Sequence, residues 1–410
     1  MCYQHAKETY ATFGIDTETA IDRLSQIKLS MHCWQGDDVA GFENTDYTLS
    51  GGLAATGNYI GKATSANQLR ADMDKAFSLI PGKHRINLHA IYGEADGSIA
   101  RDEITFDQFA NWTAWAKENG YGIDFNPTLF SHPMAADGFT LSHPDKGVRD
   151  FWIRHCIACR EIANKIGQTL NNTVISNIWI PDGFKDTPID RLTPRRHLAQ
   201  SLDRILEKPT PHNRDALESK LFGIGSESYV VGSHEFYMGY AIKHQTLITL
   251  DTGHFHPTET VSNKISGVCD FVPGILLHVS RPVRWDSDHV VALDDELQQL
   301  FKEIIGNDLL DKTYIGQDYF DASINRIAAW IIGMRNTQKA LLMALLTPYD
   351  KLVAAEQNMD YTYRLALLEE LKSLPWNAVW NEFLKRHDMP TGFAWYNEIM
   401  QYEQDVLCKR

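Results

Sequence analysis

Short apolar runs rich in β-branched and aromatic residues alternate with segments of helical periodicity along most of the chain. This alternation is typical of β-α units, in which a helix joins each parallel strand to the next. Helical periodicity is clear at residues 106–119 and 150–165. The predicted strands are residues 28–34, 85–90, 122–128, 174–181, 216–222, 246–252, 274–280 and 314–321. Eight strands linked in this way close into a barrel with its functional side chains at the C-terminal strand ends.

The pattern changes after residue 348, where helical segments follow one another without strands between them. The stretches 365–371, 376–384 and 395–407 read as such helices. We therefore predict an α/β fold: a (β/α)8 TIM barrel with an N-terminal helical extension over residues 1–348, and a C-terminal helical tail over residues 349–410. The tail could pack on its own barrel or reach a neighbouring subunit; an oligomer contact is the role we expect.

The charge balance limits the partners to be expected. The 410 residues include 53 acidic and 39 basic side chains, a formal net charge of −14. Nucleic acids and anionic membranes bind to basic surfaces, so neither is expected as a partner. No apolar run approaches the roughly 20 residues of a membrane span, and residues 1–7 lack the apolar core of a secretory signal. The sequence thus predicts a cytoplasmic protein that acts on small molecules.

The six cysteines are scattered through the chain, as in proteins of a reducing compartment. Cys156 and Cys159 form a C-x-x-C pair on a predicted amphipathic helix. A zinc or redox site would need a second ligand pair or a thioredoxin-like context, and the sequence offers neither. We expect these two to be buried thiols.

Carboxylates and imidazoles recur near the C-terminal ends of four consecutive predicted strands. The fifth strand carries Glu218 and Lys220. The sixth ends with the acid-x-x-His pair Asp251 and His254. The seventh carries His278 and is followed by the Asp-x-Asp pair Asp286 and Asp288, and the eighth carries Asp318. The succession at strand ends is more specific than either short motif alone.

Five carboxylates drawn into one barrel mouth would repel one another unless protons or cations neutralised them. Two divalent cations would supply four positive charges. Oxygen-rich ligands with a few imidazoles suit Mn²⁺, Mg²⁺, Co²⁺ or Zn²⁺.

Taken singly, each of these residues has an ordinary structural explanation. Asp286 and Asp288 could cap a loop, and His278 between apolar residues could be a hydrogen-bonded core histidine. Asp251 could belong to a turn, and Glu218 with Lys220 could be an ion pair. Their joint occurrence in strand order favours the metal site.

Several long segments resemble the L-rhamnose isomerase family. They are residues 30–38 (SMHCWQGDD), 221–229 (LFGIGSESY), 253–259 (GHFHPTE), 278–288 (HVSRPVRWDSD) and 320–326 (FDASINR), and the resemblance runs essentially end to end. In the more distant xylose isomerases a glutamate stands where this chain has Asp251, and a carboxylate where it has His278. Both differences favour the rhamnose isomerase branch.

The resemblance implies a cytoplasmic, homotetrameric (β/α)8 enzyme that interconverts L-rhamnose and L-rhamnulose with two divalent metals, commonly Mn²⁺. It places a structural metal among Glu218, Asp251, His278 and Asp318, and a catalytic metal among His254, Asp286 and Asp288. Lys220 would lie beside the substrate oxygens.

A metal-rich site favours a hydride shift between carbons 1 and 2 over an enediol, because a cation stabilises the alkoxide that donates hydride. Asp286, Asp288 and Asp318 would relay the hydroxyl proton. His89, at the end of the second strand, is a candidate acid-base group for ring opening, or else a hydrogen-bonded strand-end histidine. An aromatic wall against the sugar, or alternatively barrel packing, is expected of Trp34, Phe130, Trp179 and Trp285. Asp124 and Asp182 are weaker candidates for contacts with hydroxyls.

Two other functions are compatible with a barrel of this kind. A metal-dependent hydrolase of the amidohydrolase type would carry His-x-His on its first strand, whereas this chain has Met31-His32-Cys33 there. A catalytically inactive sugar-binding barrel would not need seven candidate ligands. Both are therefore less favoured than the isomerase.

Overall fold

Eight short, mostly buried strands form one parallel sheet in the computed structural model, which describes residues 2–43, 54–95, 97–221, 227–284 and 286–410. With a separate two-stranded ribbon, formed by β5 and β7, the strands in chain order are β1 (Leu29–His32), β2 (His84–His89), β3 (Gly122–Asn126), β4 (Val174–Ile178), β5 (Gly183–Phe184), β6 (Asn213–Glu218), β7 (Tyr229–Val230), β8 (Leu247–Asp251), β9 (Ile275–Val279) and β10 (Thr313–Gln317). The sheet order is β3-β2-β1-β10-β9-β8-β6-β4. This is the order of a barrel whose first and last strands have met.

Side chains close the seam between β3 and β4. Asp124 Oδ1 accepts the backbone N–H of Ile175 at 2.9 Å, and Asn126 Oδ1 accepts that of Asn177 at 3.0 Å. Arg85 binds both oxygens of Asp124 and also donates to the carbonyl of Thr173. Polar side chains therefore join the two strands that complete the barrel.

The helices cover the outside of the sheet. The described residues form α1 (Tyr3–Thr12), α2 (Thr17–Gln26), α3 (Ala66–Phe77), α4 (Ala110–Asn119), α5 (Lys146–Leu170), α6 (Leu192–Leu206), α7 (His234–His244), α8 (Ser262–Val268), α9 (Asp295–Gly306), α10 (Arg326–Leu345), α11 (Tyr349–Gln357), α12 (Tyr361–Ser373), α13 (Trp376–Arg386) and α14 (Ala394–Asp405). None of them combines the length and apolar character needed to cross a membrane.

Helix α5 illustrates how local sequence sets these elements. Asp145 caps its N-terminus by accepting two backbone N–H groups, and Asn171 ends it in the left-handed conformation. Its buried residues recur at intervals of three and four and include Cys156 and Cys159. Both cysteines are free, and burial raises the pKa of each thiol, which confirms the expectation of buried thiols.

The C-terminal tail packs on its own barrel. Arg410 pairs with Asp72 of α3, with its two nitrogens 2.6 and 2.7 Å from the carboxylate. Glu403 of α14 accepts from Tyr59 at 2.8 Å and from Asn325, the N-cap of α10, at 2.7 Å. This packing within one chain leaves the oligomer contact expected of the tail as a prediction.

The predicted strands were all found, but the strand expected at 216–222 begins three residues earlier, at Asn213. The three extra residues are polar, and each has a polar partner: Asn213 with Ser176, Arg214 with the hydroxyl of Tyr314, and Asp215 with Arg160 of α5. An apolar pattern cannot reveal a strand start built from polar residues with such partners. The last predicted residue, Phe222, lies outside the described residues.

Candidate metal centre

Four consecutive sheet neighbours bring the predicted acidic and imidazole side chains to one end of the barrel. Glu218 is the last residue of β6, Asp251 the last of β8, and Asp318 directly follows β10. His278 lies on β9 opposite Asp251 in the register of the two strands. Because parallel strands all end on the same side, these side chains converge at the C-terminal mouth.

The tightest cluster consists of Glu218, Asp251, His278 and Asp318, each of which offers a ligand atom within 4.8 Å of the other three. His278 Nδ1 lies 3.1 Å from Glu218 Oε1, 3.2 Å from Asp318 Oδ2 and 3.9 Å from Asp251 Oδ2. Opposite ligands of one divalent ion are a little over 4 Å apart when each bond is about 2.0–2.3 Å. The spacing therefore suits a single metal ion.

The second predicted group adjoins this cluster. His254 Nδ1 lies 3.3 Å from Glu218 Oε1, and its Nε2 lies 3.3 Å from Asp286 Oδ2. The carbonyl of Asp288 accepts the backbone N–H of Phe320 at 3.2 Å. That bond ties the loop after β9 to the loop after β10. His254, Asp286 and Asp288 line the same cavity as Glu218, His278 and Asp318 of the first group.

A hydrogen-bonded pair of hydroxyl residues fixes the two loops that carry these side chains. Thr252 Oγ1 accepts the backbone N–H of Ser280 at 2.8 Å and lies 3.1 Å from its hydroxyl. The backbone N–H of Thr252 donates to the carbonyl of His278 at 3.0 Å. The segments after β8 and β9 are consequently held together beside the cluster.

The proton affinities of these groups reflect negative charge concentrated out of water. Burial lowers the pKa of His278, but the carboxylates of Glu218 and Asp318 outweigh it, so that the pKa lies well above its ordinary value. His254 behaves in the same way beside Asp251 and Asp286. Burial raises the pKa of Asp251 to about 8. Burial and three neighbouring carboxylates raise the pKa of Asp288. Each shift indicates that added positive charge, from protons or metal ions, would stabilise this group of side chains.

Unpartnered atoms show that the donor set fits metal ions. Among the described residues, Asp251 Oδ2, His254 Nδ1, His278 Nε2 and Asp286 Oδ1 are buried without a hydrogen-bond partner. Leaving a buried polar atom unpaired costs about 1–3 kcal/mol, and more when the group is charged. Carboxylate oxygens and imidazole nitrogens are the ligands of Mn²⁺, Mg²⁺, Co²⁺ and Zn²⁺.

Gly253 keeps this space open. A Cβ at this position would lie 2.9 Å from Asp286 Oδ1 and 3.2 Å from Asp251 Oδ1. Its backbone N–H donates to Asp251 Oδ1 at 2.6 Å. The absence of a side chain therefore allows the carboxylates of both groups to approach the same turn.

One cavity with about 660 Å³ of empty space, including its open mouth, collects most of the predicted residues. Its described lining is Trp34, Val39, His89, Ile91, Tyr92, Asn126, Phe130, Asn177, Trp179, Glu218, His254, His278, Asp286, Asp288, Asp318 and Phe320. One side is thus acidic and the other largely aromatic. Trp285 lies outside the described residues. A larger hollow at the N-terminal strand ends contains none of the predicted metal or catalytic residues.

Lys220 does not line this cavity among the described residues. Its ammonium group donates to Glu227 Oε1 at 2.8 Å and to the carbonyl of Pro181 at 2.7 Å, which accounts for two of its three donors. Asp182 accepts hydrogen bonds from Thr140 and Ser142 away from the cavity, and Asp124 lies in the seam. Neither aspartate belongs to the described lining of this cavity.

His89 faces the cavity between two aromatic rings, with ring-centre distances of 4.9 Å to Trp34 and 5.6 Å to Phe130. Its Nδ1 lies 3.1 Å from the hydroxyl of Thr128, and its Nε2 lies 3.5 Å from Asn126 Nδ2. Burial lowers the pKa of His89 to about 4. The imidazole is consequently neutral near pH 7.

Sequence reasoning missed three buried polar residues of the mouth. Asn126, Asn177 and Thr249 lie on β3, β4 and β8 and are joined by hydrogen bonds. Polar residues within otherwise apolar strands were the available signal, but a single asparagine or threonine did not stand out from the carboxylates.

The whole chain is similar in sequence to proteins of one known family. A family model described as L-rhamnose isomerase (RhaA) matches residues 1–410. The curated L-rhamnose isomerase of Cronobacter sakazakii is 59% identical over 410 residues, covering 100% of this chain and 98% of the relative. That of Salmonella agona is 58% identical with the same coverage. The chain therefore belongs to the L-rhamnose isomerase family.

Proposed function

We propose that this chain interconverts L-rhamnose and L-rhamnulose with two bound divalent cations, of which Mn²⁺ is the preferred ion. The full-length relatives carry the name of that reaction. The observation that carries the metal part is the buried cluster whose four ligand atoms lie within 4.8 Å of one another. Neither a hydrolase nor an inactive sugar-binding barrel accounts for both the name of the relatives and the buried cluster of ligand atoms.

Glu218, Asp251, His278 and Asp318 would hold the first metal, and His254, Asp286 and Asp288 would hold the second. When bound, the two cations act as Lewis acids toward the oxygens at carbons 1 and 2 of the open-chain sugar. The protein supplies the candidate ligands and the cavity that they line.

The reaction moves two hydrogens. In the direction from aldose to ketose, the hydrogen on carbon 2 passes to carbon 1 with its electron pair. The proton of the carbon 2 hydroxyl passes to the oxygen on carbon 1, so that the carbonyl ends on carbon 2. Asp286, Asp288 and Asp318 accept and return this proton at the cavity floor. Lys220 is given no direct role, because its ammonium group donates to Glu227 and to the carbonyl of Pro181 and is not part of the described cavity lining.

Ring opening precedes the shift and requires proton transfer between the anomeric hydroxyl and the ring oxygen. His89 performs this transfer, since it is neutral and faces the cavity. Trp34, Phe130, Trp179 and Trp285 form the wall against the carbon skeleton and methyl group of the sugar.

An activity assay tests this function. Purified protein treated with EDTA should produce no ketose from L-rhamnose, and added Mn²⁺ should restore the reaction. Asp286→Asn should abolish the restored activity, whereas Asp270→Asn, at an exposed carboxylate, should retain it. Starting from L-rhamnose deuterated at carbon 2, the label should be retained on carbon 1 of the ketose; its exchange with water would favour the enediol. Undiminished activity after complete metal removal would contradict the proposal.

The chain forms a homotetramer in the cytoplasm. All six cysteines are free, as expected in a reducing compartment. Five large apolar side chains on and between α11 and α12 are 46–75% exposed, and we assign them to a contact with a second copy: Val353, Met359, Tyr361, Tyr363 and Leu365. Light scattering should give four times the chain mass of 46.6 kDa. Leu365→Glu should lower that mass, whereas Phe271→Glu, at another exposed apolar residue, should not.

A further inference from the structure

The side chain of Asn177 connects the metal cluster to a neighbouring strand. Its Nδ2 donates a short hydrogen bond to Glu218 Oε2, and its Oδ1 accepts from the hydroxyl of Thr249 at 2.7 Å. All three side chains are buried, and Thr249 lies opposite Glu218 in the register of β6 and β8. Water is consequently not a ready substitute for any of these bonds.

The chemistry of the groups fixes the direction of both bonds. An ionised carboxylate can only accept, so Asn177 must present its NH₂ group to Glu218. The amide oxygen then faces Thr249, whose hydroxyl is the donor. Loss of this donor would remove the contact that holds the amide in the useful orientation.

The two oxygens of Glu218 have separate tasks as a result. Oε2 is bound by Asn177, whereas Oε1 faces the imidazoles, 3.1 Å from His278 Nδ1 and 3.3 Å from His254 Nδ1. Glu218 Oε1 therefore lies between the two groups of proposed ligands. A rotation of this carboxylate would disturb both groups at once.

We infer that Asn177, held in turn by Thr249, is a positioning residue that orients the carboxylate of Glu218 toward the metals. This inference rests on the metal sites of the proposed function. Groups that hydrogen-bond to metal ligands typically change metal affinity by about 10–100-fold when they are lost. The backbone N–H of Asn177 also binds Asn126, which adjoins His89, so the same residue links the metal cluster to the ring-opening side.

Thr249→Val tests the inference with little change of shape. The valine lacks the hydroxyl, and we expect the Kd of the EDTA-stripped protein for Mn²⁺, measured by calorimetry, to rise about tenfold. Thr249→Ser restores a hydroxyl and should bring the Kd back to that of the wild type. Asn177→Leu removes the amide and should weaken binding at least as much as Thr249→Val.

Ser176→Ala is the matched control. Ser176 precedes Asn177 on β4, is equally buried and donates to Asn213 Oδ1 at 2.8 Å, away from the cluster. This variant should lower the melting temperature but leave the Kd for Mn²⁺ unchanged. A general loss of packing would move the Kd in both variants.

The outcomes separate this inference from the proposed function. Unchanged Mn²⁺ affinity in folded Thr249→Val would overturn the positioning role while the metal sites stand. So would a failure of Thr249→Ser to recover affinity. A wild-type protein that binds no Mn²⁺ would overturn the metal sites and this inference together. If Asn177→Leu does not fold, the comparison of Thr249→Val with Thr249→Ser still tests the positioning role.

Discussion

The indole N–H of Trp34 donates a 3.0 Å hydrogen bond to Asp318 Oδ1. A residue expected to be an apolar wall is thus bound to a carboxylate of the metal cluster, whose other oxygen lies 3.2 Å from His278 Nδ1. Burial raises the pKa of Asp318, but His278 outweighs it and lowers the pKa to about 2. The proposed sugar-facing wall and the candidate metal ligands are therefore joined by a hydrogen bond.

Trp34→Phe should couple a loss of metal affinity to a loss of substrate affinity. The phenyl ring keeps an apolar surface but cannot donate to Asp318, so we expect the Kd for Mn²⁺ to rise about tenfold. The KM for L-rhamnose should rise as well. Phe130→Leu, which alters the wall without touching a proposed ligand, should raise KM alone. Equal Mn²⁺ affinity in Trp34→Phe and the wild type would contradict the coupling.

Gly253→Ala should prevent metal binding without unfolding the barrel. The added Cβ would approach the carboxylates of Asp286 and Asp251. Calorimetry should show no high-affinity Mn²⁺ binding, whereas the melting temperature of the metal-free protein should change little. In Gly267→Ala, where a Cβ meets nothing within 4 Å, binding should be normal, with helix α8 stabilised by up to about 1 kcal/mol. Wild-type Mn²⁺ binding by Gly253→Ala would exclude this role for the glycine.

Asp124→Asn should destabilise the barrel at its seam. The variant leaves the guanidinium of Arg85 buried without its charge partner, a change that costs about 3–5 kcal/mol. Urea unfolding monitored by circular dichroism should show a clearly lower midpoint. Glu369→Gln breaks the exposed pair with Lys372 and should leave the midpoint almost unchanged. Similar midpoints for the two variants would argue against a structural role of the seam pair.

His155 should make the protein less stable in acid. Its ring accepts the backbone N–H of Thr128 and lies 2.8 Å from the carbonyl of Arg101; burial lowers its pKa to about 3. The unfolded chain, with a histidine pKa of about 6.5, takes up the proton first. The stabilisation is therefore complete above pH 6.5 and is lost as the pH falls toward 3.

The measurement compares the wild type with His155→Gln, which has no titrating ring. Between pH 7 and pH 4 the wild type should lose about 3 kcal/mol more unfolding free energy than the variant. Parallel pH profiles of the two proteins would mean that His155 does not contribute to acid sensitivity.

The fold could be predicted from the sequence because strand and helix periodicities are local signals. The metal candidates could be predicted because Asp251, His278 and Asp318 interrupt apolar strands near their C-terminal ends. The side-chain bonds between β3 and β4 could not be predicted. The hydrogen bond of Asp124 with the backbone of Ile175 joins residues 51 positions apart and takes the place of backbone hydrogen bonds between the two strands. The hydrogen bond between Thr249 and Asn177 could not be predicted either, because it joins residues 72 positions apart and depends on side-chain direction within the barrel.

Lys220 marks another limit of local inference. Its spacing from Glu218 places both side chains on one face of a strand, yet β6 ends at Glu218. Beyond that point the chain turns, and Lys220 is held by Glu227 and Pro181. Strand periodicity predicts side-chain direction only while the strand continues.

We propose that seven side chains at one barrel mouth hold two divalent cations. Anomalous diffraction at the manganese edge, from crystals grown with MnCl₂, tests this proposal directly. We expect two peaks, one among Glu218, Asp251, His278 and Asp318 and the other beside His254, Asp286 and Asp288. A single peak, or none in this cavity, would contradict the account.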